Sequence, residues 1–247
     1  MVCPLSNRSI LLMWLFLLSV MLGGIRKTAG ISSLVWYNRK GKSYRFGGIS
    51  KVKTRNWVRF FISTLIVGGL AGMITGLIVE ADLYDGFLDF LMLGFWLFGV
   101  ACIFNLISQM GFFAYLTVHR FGHGIFRSIK LWNAVQIVLI AFVLFDLVYF
   151  RYSVFAEEGE ALFSYLLPAL LLLIIGFIVA YFKQKETNRD AFIPALFFMT
   201  VVTTIEWIPV LRANDPDWVI MMFVVLVVSN AWQIMLLHRL TEKKPGH

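Results

Sequence analysis

Two carboxylates lie inside long apolar runs of this sequence, where an ionisable side chain is costly and is a candidate for function by default. They are Asp146 and Glu206, each about one helical turn before the end of its run. Arg151 and Arg212 follow at the same predicted level. If each carboxylate pairs with an arginine on another helix, all these charges are satisfied. Two interpretations stay open: structural ion pairs that fix helix register, or an outward-facing site for a ligand or ion.

A second group of polar side chains lies deeper in the apolar runs and recurs at helical spacing. Asn105, Ser108 and Gln109 share much of one helix face, and two further pairs of amides are each three residues apart. Such side chains either hydrogen-bond between helices, for about 1 kcal/mol or less each, or line a polar path. The candidate set is Asn105, Ser108, Gln109, Asn133, Gln136, Asn230 and Gln233.

Two histidines, His119 and His123, are spaced as metal ligands on one helix face. Gly122 and Gly124 are expected to interrupt that helix, and neither a third ligand nor a catalytic glutamate accompanies the pair. We therefore predict no metal site. The region is expected either to meet lipid headgroups at the inner surface or to contact a partner. The candidate partner loop is His119, Arg120, His123 and Arg127.

Other chemistry has little support in the sequence. There is no glycine-rich phosphate loop, no Ser/His/Asp arrangement and no redox motif. Cys3 and Cys102 are far apart, one near the N-terminus and one inside an apolar run, so no disulfide framework is expected. The sequence thus predicts a protein that is not an enzyme and has no cofactor.

These residues are positioned by six apolar runs, each long enough to cross a hydrocarbon core of about 30 Å. A content of 60% hydrophobic residues and a mean hydropathy of +0.80 leave little polar sequence for a soluble domain. The predicted fold is an all-α integral membrane protein with six transmembrane helices. The runs are Trp57 to Val79, Phe87 to Val118, Leu131 to Phe150, Ala161 to Phe182, Ala191 to Leu211 and Trp218 to Leu237.

The gaps between the runs alternate between basic and acidic. Lysine and arginine collect before the first run, between the second and third, between the fourth and fifth, and after the sixth. By the positive-inside rule we expect both ends of the six-helix unit to lie in the cytoplasm, an N-in/C-in topology. The net charge of +8 is explained by this topology and by attraction to anionic lipids, so no nucleic-acid partner is expected.

The first run carries small residues at helical spacing. Gly68, Gly72 and Gly76 fall four residues apart and let another helix approach closely. They are candidate packing positions, either for a partner helix in the bilayer or for the helices of this chain itself.

Residues 1–52 form a separate N-terminal extension, and residues 53–247 form the six-helix domain. The segment from Ser9 to Ile25 is apolar enough for an extra hydrophobic helix or a signal-peptide core, and a basic stretch without acidic residues follows it. Equally open is a start-site artefact. Gly47 and Gly48 can be encoded by a ribosome-binding sequence, and Val52 by a GTG start codon.

Several long motifs of the six-helix domain resemble one family. That family is KbaA, the KinB-signalling pathway activation proteins of endospore-forming bacteria, and the resemblance covers about Lys53 to Leu240. The motifs are Arg55–Phe61 (RNWVRFF), Ile107–Gly122 (ISQMGFFAYLTVHRFG), Leu144–Tyr152 (LFDLVYFRY), Ala191–Phe198 (AFIPALFF) and Thr204–Trp207 (TIEW).

The resemblance implies a regulatory role. Members of this family are positive effectors of a membrane sensor histidine kinase that feeds phosphate into the sporulation phosphorelay, and no catalytic residues are carried over from them. We therefore expect a non-catalytic membrane regulator whose partners are the lipid bilayer and the kinase. The alternative is a small-solute or ion transporter that acts on the pathway indirectly, with Asp146, Glu206 and the amide set as its path.

Overall fold

A computed structural model describes residues 36–37, 43–44, 54–83, 86–126, 128–156 and 162–241. From Thr54 onward the described residues are helical and form one compact unit. A separate pair of short antiparallel strands is joined through Trp36 opposite Tyr44. The strands are β1 (Trp36–Tyr37) and β2 (Ser43–Tyr44), and the α-helices are α1 (Thr54–Val79), α2 (Phe87–Phe126), α3 (Ile129–Phe155), α4 (Leu162–Glu186), α5 (Phe192–Phe197), α6 (Thr203–Ala213) and α7 (Pro216–Thr241).

Within the described residues, six helical segments are long and apolar enough to cross a membrane, which confirms an all-helical fold with six such helices. Five of them are α1, α2, α3, α4 and α7. The fifth in chain order, Arg189–Ala213, is composite, and we call it the fifth span. It joins a 3₁₀ turn (Arg189–Ala191), α5, a π-helical turn (Phe198–Val202) and α6. The expected hydrophobic helix near residues 9–25 lies outside the described residues, and the N-in/C-in topology stays a prediction.

Local sequence explains several helix ends. The Asp215 side chain accepts hydrogen bonds from the backbone N–H of Asp217 and of Trp218, so it caps the start of α7. Asn214 takes a left-handed conformation with φ of 52°, which ends α6. Ser128 caps α3 by accepting from the Leu131 N–H at 3.5 Å. Two residues, Asn214 and Asp215, thus separate α6 from α7.

The two C-terminal spans lie at the centre of the bundle. In the most apolar stretch of the fifth span, 61% is buried inside the bundle, and in that of α7 56% is buried. The corresponding stretches of the other spans are 22–28% buried. The outer helices turn apolar side chains away from the bundle, and on α1 these follow one helical stripe, as lipid contact requires. The α1 stripe is Ile62, Ile66, Leu70, Ile74 and Ile78.

The glycines of α1 pack against the protein's own helices. All three are buried, and a Cβ on Gly72 would overlap Ala101 of α2 and Val225 of α7. A Cβ on Gly76 would meet Leu97 at 2.9 Å. Of the two alternatives for Gly68, Gly72 and Gly76, the structure shows packing against the helices of this chain. The face is occupied by α2 and α7 and is not free for a partner helix.

Helix α2 is longer than its apolar run predicted. It has 40 residues, or about 60 Å at about 1.5 Å per residue, which is about twice the hydrocarbon thickness. The expected interruption at Gly122 and Gly124 is wrong, since the helix continues to Phe126. Gly122 instead makes room for a neighbour: a Cβ there would meet the Trp132 ring at 2.5 Å. The region predicted as a loop is thus mostly a helical hairpin formed by the end of α2 and the start of α3.

Candidate functional site

The carboxyl group of Glu206 lies inside the bundle and bonds to an amide. Its side chain is 6% exposed, and Oε2 accepts from Asn230 Nδ2 at 2.7 Å. Glu206 belongs to α6 and Asn230 to α7, so this bond joins the two most buried spans. Hydrogen bonds to charged groups typically contribute about 1.5–3 kcal/mol. We take this buried bond between the two central spans as the centre of the candidate site.

Asn230 is the hub of a hydrogen-bonded chain across three helices. Its Nδ2 also donates to Thr203 Oγ1 at 2.9 Å, one turn before Glu206. Its Oδ1 accepts from the Ser108 hydroxyl on α2 at 2.7 Å. Gln233 Nε2 in turn donates to Ser108 Oγ at 2.9 Å. We call these five residues the Glu206 network: Ser108, Thr203, Glu206, Asn230 and Gln233.

A second branch joins α2 to α1 and α7 beside that network. Asn105 Nδ2 donates to the Thr64 carbonyl oxygen at 2.6 Å and to Ser229 Oγ at 2.9 Å. Gln109 Nε2 donates to Asn105 Oδ1 at 3.0 Å and to the Phe61 carbonyl oxygen at 3.3 Å. Both amides thus bridge helices, which is one of the two roles that their spacing allowed.

Glycines let the helix backbones approach these polar groups. A Cβ on Gly111 of α2 would overlap Glu206 Oε1, so the carboxyl group rests against bare backbone. A Cβ on Gly68 of α1 would overlap Asn105 Nδ2 and Ser229 Oγ in the same way. Each glycine is required for close approach rather than for an unusual backbone angle.

A π-helical turn precedes the Glu206 network in the fifth span. It covers Phe198–Val202 and ends immediately before Thr203. Thr200 and Thr204 donate their hydroxyls to the carbonyl oxygens of Leu196 and Thr200, both at 2.8 Å, and so satisfy groups near the turn. Such turns are rare, and they occur often at functional sites because they change which side chains face a neighbouring helix.

Two oxygens of the network have no hydrogen-bond partner in the described part of the chain. They are Glu206 Oε1 and Gln233 Oε1, and both are fully buried. An ionised carboxylate and an amide oxygen can only accept, so each requires a donor or a cation. The network therefore contains more acceptors than donors.

The predicted outer cluster of Asp146, Glu206, Arg151 and Arg212 is not assembled. Glu206 bonds to Asn230, while Asp146 and Arg212 are exposed. Arg151 donates to Asn214 Oδ1 at 3.2 Å, and its guanidinium lies 5.9 Å from the ring centre of Tyr165. Within the described ranges no ion pair joins these residues. Arg151 instead connects the end of α3 to the end of α6.

Two amides of the predicted polar set lie outside both branches. Gln136 of α3 is 0% exposed, and neither of its amide atoms has a partner among the described residues. Asn133 Oδ1 is also buried without a partner there. The structure thus brings together the amides of α2 and α7 and leaves those of α3 apart.

The histidine pair lies at the end of the helical hairpin. His119 Nδ1 accepts from the indole N–H of Trp132 at 3.3 Å, and the two Nε2 atoms of His119 and His123 are 3.1 Å apart. Because an indole can only donate, His119 carries its proton on Nε2 and donates it to His123. A metal-binding His119 would need that nitrogen free. Arg120 is exposed, and Arg127 lies outside the described residues.

The sequence of the bundle matches a known family. The family described as KinB-signalling pathway activation in sporulation matches residues 68–240. A curated relative, the KinB-signaling pathway activation protein of Bacillus subtilis (strain 168), is 46% identical over 198 residues, which cover 78% of this chain and 100% of the relative. The chain belongs to the KbaA family. The resemblance noted in the sequence motifs is thereby confirmed, and no solved structure matches the chain.

The KbaA match contains every residue of the Glu206 network, since all of them lie between residues 68 and 240. Two carbonyl acceptors of the second branch, those of Phe61 and Thr64, lie before that range. The site is therefore built from the segment that the family model matches, apart from backbone groups contributed by the first half of α1.

Some residues of the site were not predicted from the sequence. Thr203 and Ser229 are short hydroxyl side chains that resemble ordinary helix residues in sequence, and Gly111 carried no signal beyond its size. Where α4 and α7 end, buried Lys183 lies 3.3 Å from His238 Nδ1, and Glu186 lies 3.7 Å from the same atom. These groups link α4 to α7, where the sequence indicated only a basic span end.

Proposed function

We propose that this protein is an integral membrane regulator that activates the KinB signalling pathway in sporulation without catalysing a reaction. The observation that carries the proposal is the 46% identity to the named Bacillus subtilis activator over all of that protein's length. The six membrane-length helices support a multi-pass location in the bacterial cell membrane. The predicted N-in/C-in topology then exposes the α2–α3 hairpin to the cytoplasm.

The use of the buried polar groups supports a regulator rather than an enzyme. Asn105, Gln109 and Asn230 each donate a hydrogen bond to a neighbouring helix. Groups so engaged hold the helices in one arrangement. A regulator needs this property, because its partner must recognise a defined surface.

The helical hairpin offers the most distinctive surface for a partner. Phe121 is 65% exposed and Ile125 is 72% exposed, and both lie on the part of α2 that also carries exposed Arg120. Ile129 continues the apolar surface at the start of α3. We propose that a membrane sensor histidine kinase contacts the protein here, at the level where its own helices leave the bilayer.

The test is a phosphorelay reporter in a deletion strain, with the branches through the membrane kinase and through a soluble kinase measured separately. Loss confined to the membrane branch, restored by the wild-type gene, is the expected result. Equal loss through both branches would contradict a dedicated activator. The amount of membrane kinase is measured by immunoblot in the same strains, so that an effect on kinase level is separated from an effect on its activity.

A second candidate function is transport of a small solute or ion. The Glu206 network favours it, because an ionisable side chain inside a bundle is a frequent part of an ion pathway. Uptake of labelled solute and proton flux in vesicles that contain the purified protein would reveal such activity. Flux that disappears on Glu206→Gln substitution would place transport ahead of regulation by contact.

A further inference from the structure

We propose that Glu206 binds a monovalent cation, either a proton or an alkali-metal ion, inside the helix bundle. The carboxyl group is 6% exposed and belongs to the most buried of the spans. Its hydrogen-bond donor is the neutral amide of Asn230, at 2.7 Å from Oε2. The inference goes beyond the proposed role in signalling, since it concerns a ligand of the bundle itself.

The first argument is the balance of charge. A carboxylate removed from water is strongly destabilising unless a positive charge compensates it. No basic side chain in the described ranges forms an ion pair with Glu206. The arginine on another helix that was expected to do so, Arg151, donates to Asn214, and Arg212, on the same helix as Glu206, is exposed. The missing positive charge must therefore come from a bound cation.

The second argument is the supply of oxygen atoms. Oε1 of Glu206 and Oε1 of Gln233 are buried and have no partner in the part of the chain that the structure describes. Their residues are the two ends of one chain of hydrogen bonds through Asn230 and Ser108, which uses the other polar atom of each side chain, Glu206 Oε2 and Gln233 Nε2. Carboxylate and carbonyl oxygens are the ligands that hard cations prefer. A proton on the carboxyl group would serve the same need by giving it a donor.

The third argument is that the position is built to hold a carboxyl group. Gly111 has no side chain where Oε1 rests, and any Cβ there would overlap it. On the other side, Asn230 Nδ2 donates to Glu206 Oε2 at 2.7 Å, and the same Nδ2 group is held in place by donating to Thr203 Oγ1 at 2.9 Å. A glutamate that only filled space would not need a bare backbone and a fixed amide around it.

Other ionisable groups on the surrounding helices have other partners or face outward. On α2, Tyr115 donates to the Pro194 carbonyl oxygen at 3.1 Å, and His119 contacts Trp132. On α3, Asp146 is exposed. On α7, His238 lies beside Lys183. A response to pH or salt that disappears with the Glu206 carboxylate can therefore be assigned to Glu206.

The test uses the full-length protein purified in detergent with choline as the supporting cation. We expect the Tm to rise by several degrees on addition of sodium or potassium chloride, or on lowering the pH, because a ligand that binds the folded state stabilises it. Glu206→Gln should remove the response, and Asp146→Asn, which changes an exposed carboxylate, should keep it. Equal responses of wild type and Glu206→Gln, together with the absence of a neutral-carboxyl band in the infrared spectrum of the wild type, would overturn the proposal.

Infrared spectroscopy of the wild-type protein keeps the test decisive if Glu206→Gln does not fold. A neutral-carboxyl band, retained in Asp146→Asn, identifies the proton as the cation. A carboxylate band that shifts with sodium or potassium identifies the metal ion. Carboxylate bands that neither salt nor pH alters would refute a cation at Glu206. Both readouts use purified protein, so they are independent of the reporter that tests the signalling role.

Discussion

Asn230 Nδ2 lies 2.7 Å from Glu206 Oε2 and joins the two central spans of the bundle. The same amide group reaches Ser108 on α2 through its oxygen, so a single side chain connects three helices. Buried polar networks of this kind hold one arrangement of the helices when most members are satisfied, and they are sensitive to loss of one member. The following predictions use that sensitivity.

Asn230→Leu should destabilise the bundle. The substitution leaves the buried Glu206 carboxyl group, the Thr203 hydroxyl and the Ser108 hydroxyl without their partner, at a cost of about 1–3 kcal/mol for each group left unsatisfied. A lower Tm in detergent and less protein in the membrane fraction are expected. The control is Asn133→Leu, which removes an amide outside both branches. A similar loss in both variants would show that the network has no special role.

Gly111→Ala should lower both stability and signalling. The added methyl group would overlap Glu206 Oε1, so the carboxyl group must move away from Asn230. Gly99→Ala is the matched control on the same helix, because a Cβ there meets nothing within 4 Å. Alanine has the higher helix propensity, so the control should be neutral or stabilising by about 1 kcal/mol. Unchanged Tm and reporter signal in Gly111→Ala would contradict the contact with Glu206.

Gly72→Ile should prevent normal accumulation of the protein. Its side chain would overlap Ala101 and Val225, so α1 could no longer pack on α2 and α7. Immunoblots of the membrane fraction measure the effect, and Gly99→Ile is the control for adding a branched residue to an open position. A normal protein level with lost signalling would instead restore the interpretation of this glycine face as a partner surface.

Substitution by leucine should raise the stability of the protein at Gln136 and lower it at Gln233. Gln136→Leu removes two buried amide atoms without partners in the described chain, and it should raise stability by about 1 kcal/mol or more. Gln233→Leu removes the donor to Ser108 and should lower it. Thermal unfolding of the two purified variants side by side gives the answer. A lower Tm for Gln136→Leu would mean that this amide has a partner of its own.

Arg120→Glu should reduce signalling through the membrane kinase with little change in protein level. Arg120 is exposed on the α2–α3 hairpin, so reversing its charge alters the proposed contact surface without disturbing the core. Arg189→Glu makes the same change at another exposed residue, before the fifth span, and controls for effects on topology. Equal reporter activity in the two variants, at equal protein level, would argue against the hairpin as the contact.

The six spans of the described residues, and their order, could be read from the sequence because they depend on composition along the chain. A run of apolar residues long enough for the hydrocarbon core forms a helix wherever it packs, since lipid offers its backbone no hydrogen bonds. The family could also be inferred from the sequence, because the motifs around residues 107–122 and 191–207 are specific to it. The amide positions on α2 and α7 were visible for the same reason, because helical spacing is a local property.

The partners of those side chains were decided by tertiary structure. Sequence places Glu206 near one end of its span, but a helical side chain is directed toward the N-terminal end of its helix. This direction brings the carboxyl group toward Asn230 and away from Arg212, its neighbour in the predicted outer cluster. The rotation of each helix about its axis, set by contacts such as Gly72 with Ala101 and Val225, then selects which faces meet. Local spacing cannot determine that rotation, because it depends on the packing of all the helices together.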